Sequence, residues 1–193
     1  MARPQSVEDK ELINGLSCVF RDVGYEGASL AMLALATGLK KASLYHRFPR
    51  GKQQMAEEVL GAALGWYDTN ILAPLHAVGP PRERLAGVAA QLDGFYSAGQ
   101  HACLLNMLAA PRAATGPFSA GIKGAFKALI DAFSQLARDA GHAPEKAKLR
   151  AERTVMLLQG SLVLSRGLGS SEPFQIFLAG LAGDLIGPTE IQS

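Results

Sequence analysis

Apolar positions recur along this chain at helical spacing from one end to the other. Leu12, Ile13, Leu16, Val19, Phe20 and Val23 fall at the i, i+3/i+4, i+7 intervals of one helix face. Gly24 follows as a stop, because glycine reaches φ > 0 at little cost. Ser29 is a natural N-cap for a short apolar helix that carries Leu30, Leu33 and Leu35 up to Thr37-Gly38. Leu39 to Phe48 reads as a third helix, ended by Pro49 and Gly51. Three short helices in about fifty residues, with a glycine-bearing turn between the second and third, have the arithmetic of a helix-turn-helix.

Beyond Lys52 the helical segments lengthen. One runs from Gln53 to about His76, interrupted at Pro74, and another from Arg82 to about Ala98. Cys103 to Arg112 reads as a shorter helix before a loop over residues 113–117. Phe118 to Ala140 stops at Gly141, Pro144 to Arg166 ends at Gly167-Leu168-Gly169, and Glu172 to Ile186 is closed by Gly187-Pro188. No stretch sustains the two-residue alternation of a sheet face. The expectation is an all-α protein of about nine helices: a helix-turn-helix domain over residues 1–52, then a helical domain over residues 53–193.

Composition permits this and narrows the compartment. Of 193 residues, 48% are apolar and 19% charged, enough for a sizeable core. No apolar run reaches the roughly 20 residues that span a bilayer, and Met1 to Glu11 lacks the apolar stretch of a signal peptide. Cys18 and Cys103 are too few for a disulfide framework or a four-ligand metal site. A cytoplasmic chain is expected, with no membrane partner.

The formal net charge of +2 hides an asymmetry. Residues 1–52 hold eight Lys/Arg and five Asp/Glu, the remainder eleven and twelve. No acidic residue occurs between Glu26 and Glu57, whereas Lys40, Lys41, Arg47, Arg50 and Lys52 all lie in that window. Such runs are usually a solvated face. A compact basic patch beside an electrically ordinary remainder is also how a small nucleic-acid-binding module looks.

Catalytic signatures are missing. No H-E-x-x-H, C-x-x-C, G-x-G-x-x-G or G-x-S-x-G pattern occurs. Gly51-Lys52 lacks the upstream glycine of a P-loop, and Gln53 replaces its hydroxyl. His46, His76, His101 and His142 are scattered, and only His46 lies in the basic window. Neither an enzyme nor a bound metal or cofactor is expected.

The stretch Gly24-Tyr25-Glu26-Gly27-Ala28-Ser29, followed by Ala36-Thr37-Gly38-Leu39-Lys40-Lys41-Ala42-Ser43-Leu44-Tyr45-His46-Arg47-Phe48, resembles the DNA-binding domain of TetR-family transcriptional regulators. The resemblance covers about residues 9–60. It implies a ligand-responsive repressor, a homodimer on a pseudo-palindromic double-stranded DNA operator. A helical small-molecule- or partner-binding protein without DNA function is the alternative. Leu39, Leu44 and Phe48 are the apolar anchors of the third helix, which enters the major groove in this docking mode. By family correspondence Lys41, Ala42 and Ser43 meet base edges or methyl groups, and Tyr45 and His46 meet phosphates or adjoining bases. Ser29 and Lys52 are assigned to phosphates, Lys52 together with the backbone N–H groups that open the fourth helix. Six to ten phosphate contacts per dimer would make affinity fall roughly 10³–10⁵-fold between 50 and 200 mM salt.

Three positions depart from the family pattern. Lys40 stands where serine is common, which forfeits an N-cap of about 1 kcal/mol and puts a cation at the positive end of a helix dipole. A phosphate opposite would make that tolerable, so Lys40 joins the DNA-binding candidates. Met32 replaces a common acid, and Phe48-Pro49-Arg50-Gly51-Lys52 is one residue longer than the usual link.

The resemblance implies an apolar effector pocket in the carboxy-terminal domain, for which Trp66, Phe95, Tyr96, Cys103, Met107, Phe126, Phe133, Met156 and Gln159 are the candidates. Cys103 is expected to be buried and inert, and Cys18 exposed opposite the apolar stripe of the first helix. The last two helices are the expected dimer element. Gly160, Ser161, Ser165 and Gly167 permit close approach, and Val155, Leu158, Leu162, Phe174, Phe177, Leu178 and Leu181 supply apolar area.

Overall fold

Punctuation residues set the helix ends, and burial of one face sets the packing. A computed structural model of the protein describes residues 9–109 and 116–187. Within them lie α1 (Asp9–Gly27), α2 (Leu30–Thr37), α3 (Lys41–Arg47), α4 (Lys52–Tyr67), a π-turn (Asp68–Leu72), α5 (Ala73–His76), α6 (Pro81–Phe95), α7 (Leu104–Leu108), α8 (Ser119–Asp139), α9 (Pro144–Leu168) and α10 (Glu172–Ile186). α4, the π-turn and α5 follow one another without a break, so the described residues form nine separate helical rods and no strand. None is long and apolar enough to cross a membrane. The described helices group by packing into two compact units: one holds α1 to α3, most of α4, and α7, the other the π-turn, α5, α6, most of α8, α9 and α10.

In the first unit α1 buries Leu12, Leu16, Val19 and Phe20. Its regular course ends at Gly24, whose φ of 72° a larger side chain would adopt only under strain. Ser29 caps α2, its Oγ accepting from the Met32 N–H at 3.2 Å. Gly38 closes α2 in the left-handed conformation, φ 66°, and its N–H donates to the Leu35 carbonyl. α1 and α2 approach so closely that a Cβ on Gly15 would lie 2.7 Å from the Ala36 carbonyl oxygen. Of the leucines that make α2 apolar, only Leu33 is fully buried, and Leu35 remains exposed. α3 is shorter than the expected Leu39–Phe48. Leu44 and Phe48 are its buried anchors, and Leu39 is half-buried. α7 packs on α1, and the rest of the helix expected to reach Arg112, like residues 113–115 of the expected loop, lies outside the described residues.

In the second unit the expected interruption at Pro74 takes a defined form. Proline lacks an N–H, and its ring would strike the carbonyl four residues back. The preceding turn therefore widens, and the Ala73 N–H donates to the Asp68 carbonyl, five residues earlier. Arg84 then ties off α5, donating to the Leu75 and Ala77 carbonyls at 2.9 and 2.8 Å and pairing with Asp139 at 2.7 Å. α6 stops three residues short of the expected Ala98. Ser97, Ala98 and Gly99 all take positive φ (48°, 55° and 89°), and a Cβ on Gly99 would lie 2.5 Å from the Phe174 Cβ. α9 and α10 turn at left-handed Gly169 and pack along each other, and α6 packs on α10. The last carbonyls of α10 are taken by basic side chains. Arg82 donates to Gly187, and Arg150 donates to Gly183 and Asp184.

Candidate nucleic-acid interface

The turn at Gly38 sets α3 so that its apolar anchors and its polar residues separate cleanly. Leu44 and Phe48 are completely buried, whereas Lys40, Lys41, Ala42, Ser43, Tyr45 and His46 are all exposed. Tyr45 keeps 48% of its surface, so it packs only in part. Lys40 occupies the N-cap position of α3 and makes no side-chain cap bond there. Ser29 is exposed at the start of α2. Its oxygen already accepts from Met32, and a hydroxyl can accept and donate at once, so its own proton can serve an outside acceptor.

The basic window does not act as one patch. Arg47 is bound twice to Glu58, at 3.3 and 3.0 Å, and once to Asp9 at 3.4 Å, and it lies over the Phe48 ring. Arg50 pairs with Glu57 at 2.7 Å. The Lys52 ammonium donates to the backbone carbonyls of Tyr25 and Ala28, at 2.8 and 3.1 Å, and sits 4.6 Å from the centre of the Tyr25 ring. Lys52 thus turns toward the α1–α2 connection. Among the described residues Lys40 and Lys41 have no ion-pair partner, and they flank the amino terminus of α3. Glu57 and Glu58, just past the acid-free window, neutralise its arginines. Nothing in the local sequence revealed that role, because the pairs span seven and eleven residues.

Three aromatic candidates of the second unit come together. Trp66 and Phe95 stack with centroids 3.9 Å apart, and Phe95 meets Tyr96 edge-on at 5.1 Å. Tyr67, which the sequence reading missed, shares a short buried hydrogen bond between its hydroxyl and that of Tyr96. Burial pushes the Tyr96 phenol well above its ordinary range, and Cys103 and Tyr67 add to the effect. Cys103 is buried and Cys18 exposed. Phe133 is fully buried and Phe126 half-buried, both on α8. Gln159 holds a buried amide nitrogen with no hydrogen-bond partner among the described residues.

Two pocket candidates fall elsewhere. Met156 is 63% exposed on the outer side of α9, so it lines no interior pocket. Met107 belongs to the first unit, where its carbonyl and side chain lie against Gly24.

Most of the dimer candidates lie in the interior of the chain. Val155, Leu158, Leu162, Phe174, Phe177 and Leu181 are buried within the chain's own bundle, and Leu178 is half-buried. Area already buried inside one chain is not available to a second. The opposite side of α9 leaves Leu149, Met156, Leu157, Val163, Leu164 and Leu168 exposed, and Ile176 does the same on α10. Gly160 and Gly167 share that outer side, whereas Ser161 and Ser165 face inward.

Comparison with known proteins bears on both units. Residues 14–59 match the family described as bacterial regulatory proteins, tetR family. The HTH-type transcriptional regulator LmrA of Bacillus subtilis is 23% identical over 167 residues, 85% of this chain and 89% of that protein. A TetR transcriptional regulator from Legionella pneumophila superposes with a TM-score of 0.79 at 17% identity, covering 95% of this chain and 100% of the other. A cysteine mutant of the TetR-family regulator CifR, solved in complex with a 26-base-pair double-strand operator DNA, superposes with a TM-score of 0.73 at 21% identity, covering 95% and 98%.

Proposed function

We propose that the chain is a member of the tetR family of bacterial regulatory proteins, whose model residues 14–59 match, and that it is a ligand-responsive transcriptional repressor that binds a pseudo-palindromic operator as a homodimer. The observation that carries this reading is the division of α3: fully buried Leu44 and Phe48 on one side, and exposed Lys40, Lys41, Ala42, Ser43, Tyr45 and His46 on the other. A helix so divided, held by a glycine turn against α2, is suited to lie in a major groove. Ala42 and Ser43 then reach base edges, and Lys41, expected at a base edge, joins Lys40 on phosphates in this reading because both stand exposed at the amino terminus of α3. The reading includes no catalytic step and places the protein in the cytoplasm with its DNA.

The proposed dimer face is the outer side of α9 with Ile176 of α10. Leu149, Met156 and Val163 recur every seven residues, as do Leu157 and Leu164, and Gly160 and Gly167. A seven-residue apolar repeat makes a helix–helix seam, and glycines within it let two helices approach. A second copy of the same face satisfies such a seam by two-fold symmetry. Paired recognition helices would then stand about 34–36 Å apart, or a multiple, on the DNA.

The proposed effector site is the aromatic group Trp66, Phe95 and Tyr96 with Tyr67 and Cys103, and the unpartnered Gln159 amide is a further polar handle. An effector acts only through different affinity for two dimer states, and a coupling of about 1–3 kcal/mol weakens operator binding 5–150-fold. Selection of bound duplex from a random pool by the purified protein tests the reading. A palindrome with half-sites one turn or a multiple apart is expected. Recovery of no preferred sequence would remove the regulator assignment.

A further inference from the structure

We propose that Lys52 is a positioning residue for DNA binding: it clasps the α1–α2 connection in place and does not bind phosphate. The proposal deepens the regulator reading and rests on it. Lys52 opens α4 and lies in the basic window, where a phosphate contact is the natural expectation. Its ammonium points elsewhere. Two of its three N–H groups are engaged by the Tyr25 and Ala28 carbonyls, and the charge rests over the Tyr25 ring. Tyr25 is itself held, its ring meeting Phe118 edge-on at 5.0 Å and lying 6.3 Å from Phe20.

The consequence lies one peptide bond further on. Ala28 is fully buried, and its carbonyl belongs to the same rigid peptide plane as the Ser29 N–H. Holding that carbonyl fixes the plane from which Ser29 leaves to cap α2. Gly24 has just redirected the chain, so α1 alone does not determine where Ser29 stands. Lys52 supplies the missing constraint from the first residue of α4. A lysine turned out to phosphate would abandon both carbonyls and the ring.

The two roles differ in salt dependence. Each phosphate neutralised contributes about 0.9 to the slope of log affinity against log salt, so losing two per dimer would reduce the slope by about 1.8. A positioning residue leaves the slope intact while affinity drops. The test uses full-length protein and the duplex that wild type selects from a random pool, with anisotropy titrations between about 50 and 200 mM salt. Lys52→Met is expected to lose roughly tenfold in affinity, the equivalent of one charge-assisted contact for the dimer, at unchanged slope. Lys52→Arg keeps the charge, but its planar fork does not reproduce a compact ammonium between two carbonyls. It is expected to lose affinity too, so the test stands even where Lys52→Met does not fold. A Ser29→Ala change is expected to cost less in the Lys52→Arg background than in wild type, which a merely stabilising role would not produce. A reduced slope in Lys52→Met, or near-normal binding by Lys52→Arg, would overturn the proposal. A wild type that selects no duplex would end the regulator reading and this assignment with it.

Discussion

Replacing Lys40 with serine should make the protein more stable and a poorer DNA binder. Lys40 is the N-cap of α3 with extended backbone (φ −71°, ψ 150°), and its side chain caps nothing. A serine in that geometry accepts from an N–H of the first turn, worth about 1 kcal/mol. Removing a cation from the positive end of the helix adds about 0.3–1 kcal/mol. At about 2–4 °C per kcal/mol for a chain of this size, the melting temperature should rise by roughly 3–8 °C. Binding should move the other way. With Arg47, Arg50 and Lys52 engaged internally, Lys40 and Lys41 are the window's remaining cations, four per dimer. Four neutralised phosphates give a slope near −3.6, a fall of about 150-fold between 50 and 200 mM salt. That is shallower than a count of every basic residue in the window would give. Lys40→Ser should halve the slope, leaving a fall of about 12-fold over the same range. Thermal melts and anisotropy titrations on one preparation check both. A variant that is stabilised but binds with unchanged affinity and slope would make Lys40 an ordinary surface lysine. A variant that is not stabilised would refute the cap argument.

Gly15→Ala should destabilise despite better helix propensity, because the new methyl would sit 2.7 Å from the Ala36 carbonyl; a chemical-denaturation midpoint that rises instead would show that α1 and α2 can separate at no cost. Leu164→Glu on the exposed side of α9 should yield a folded monomer by light scattering, whereas Leu158→Ala in the core should cost about 2–5 kcal/mol and leave the oligomeric state alone. The His142 imidazole is held below its usual 6.5, mainly by burial, with Arg150 and Lys146 adding repulsion. Its neutral form is therefore favoured in the folded state, so stability should be full above about pH 6.5 and fall as pH drops through that value, where the unfolded chain takes up the proton first. His142→Gln should flatten that part of the melting-temperature profile.

What the sequence revealed tracks how local the cause is. α10 is legible to the residue because Gly187 closes it. Ser29 and Gly38 likewise announce their roles within four residues of chain. The end of α6 is not legible locally, because Ser97 and Ala98 have no local reason to take positive φ; the turn lies against Phe174, some seventy-five residues on. The expected dimer residues lie in the chain's own bundle, because α9 is apolar on two sides. Periodicity finds both stripes and does not say which one the chain covers itself. Lys52 and Tyr67 share this difficulty, since their partners stand 24 to 29 residues away.

Under the proposed function, the same separation explains how a nearly neutral protein would hold DNA and still let go. Arg47 fastens α3 to α1 and α4, Arg50 makes an ion pair with Glu57 of α4, and Lys52 holds the turn before α2. Most of the window's charge therefore maintains the shape of the reading head, and within the window, on the proposed reading, Lys40 and Lys41 are left to meet the electrostatic demand of DNA. A single head with a slope near −1.8 binds weakly at physiological salt. Useful affinity then requires two heads acting together, each raising the effective concentration of the other. That gain depends on the spacing of the heads, and spacing is what the proposed dimer face controls. A shift at the outer side of α9 needs only to misplace one half-site to forfeit the joint gain. In the proposed mechanism an effector coupling of about 1–3 kcal/mol, a 5–150-fold loss of operator affinity, is therefore within reach of a change in half-site spacing.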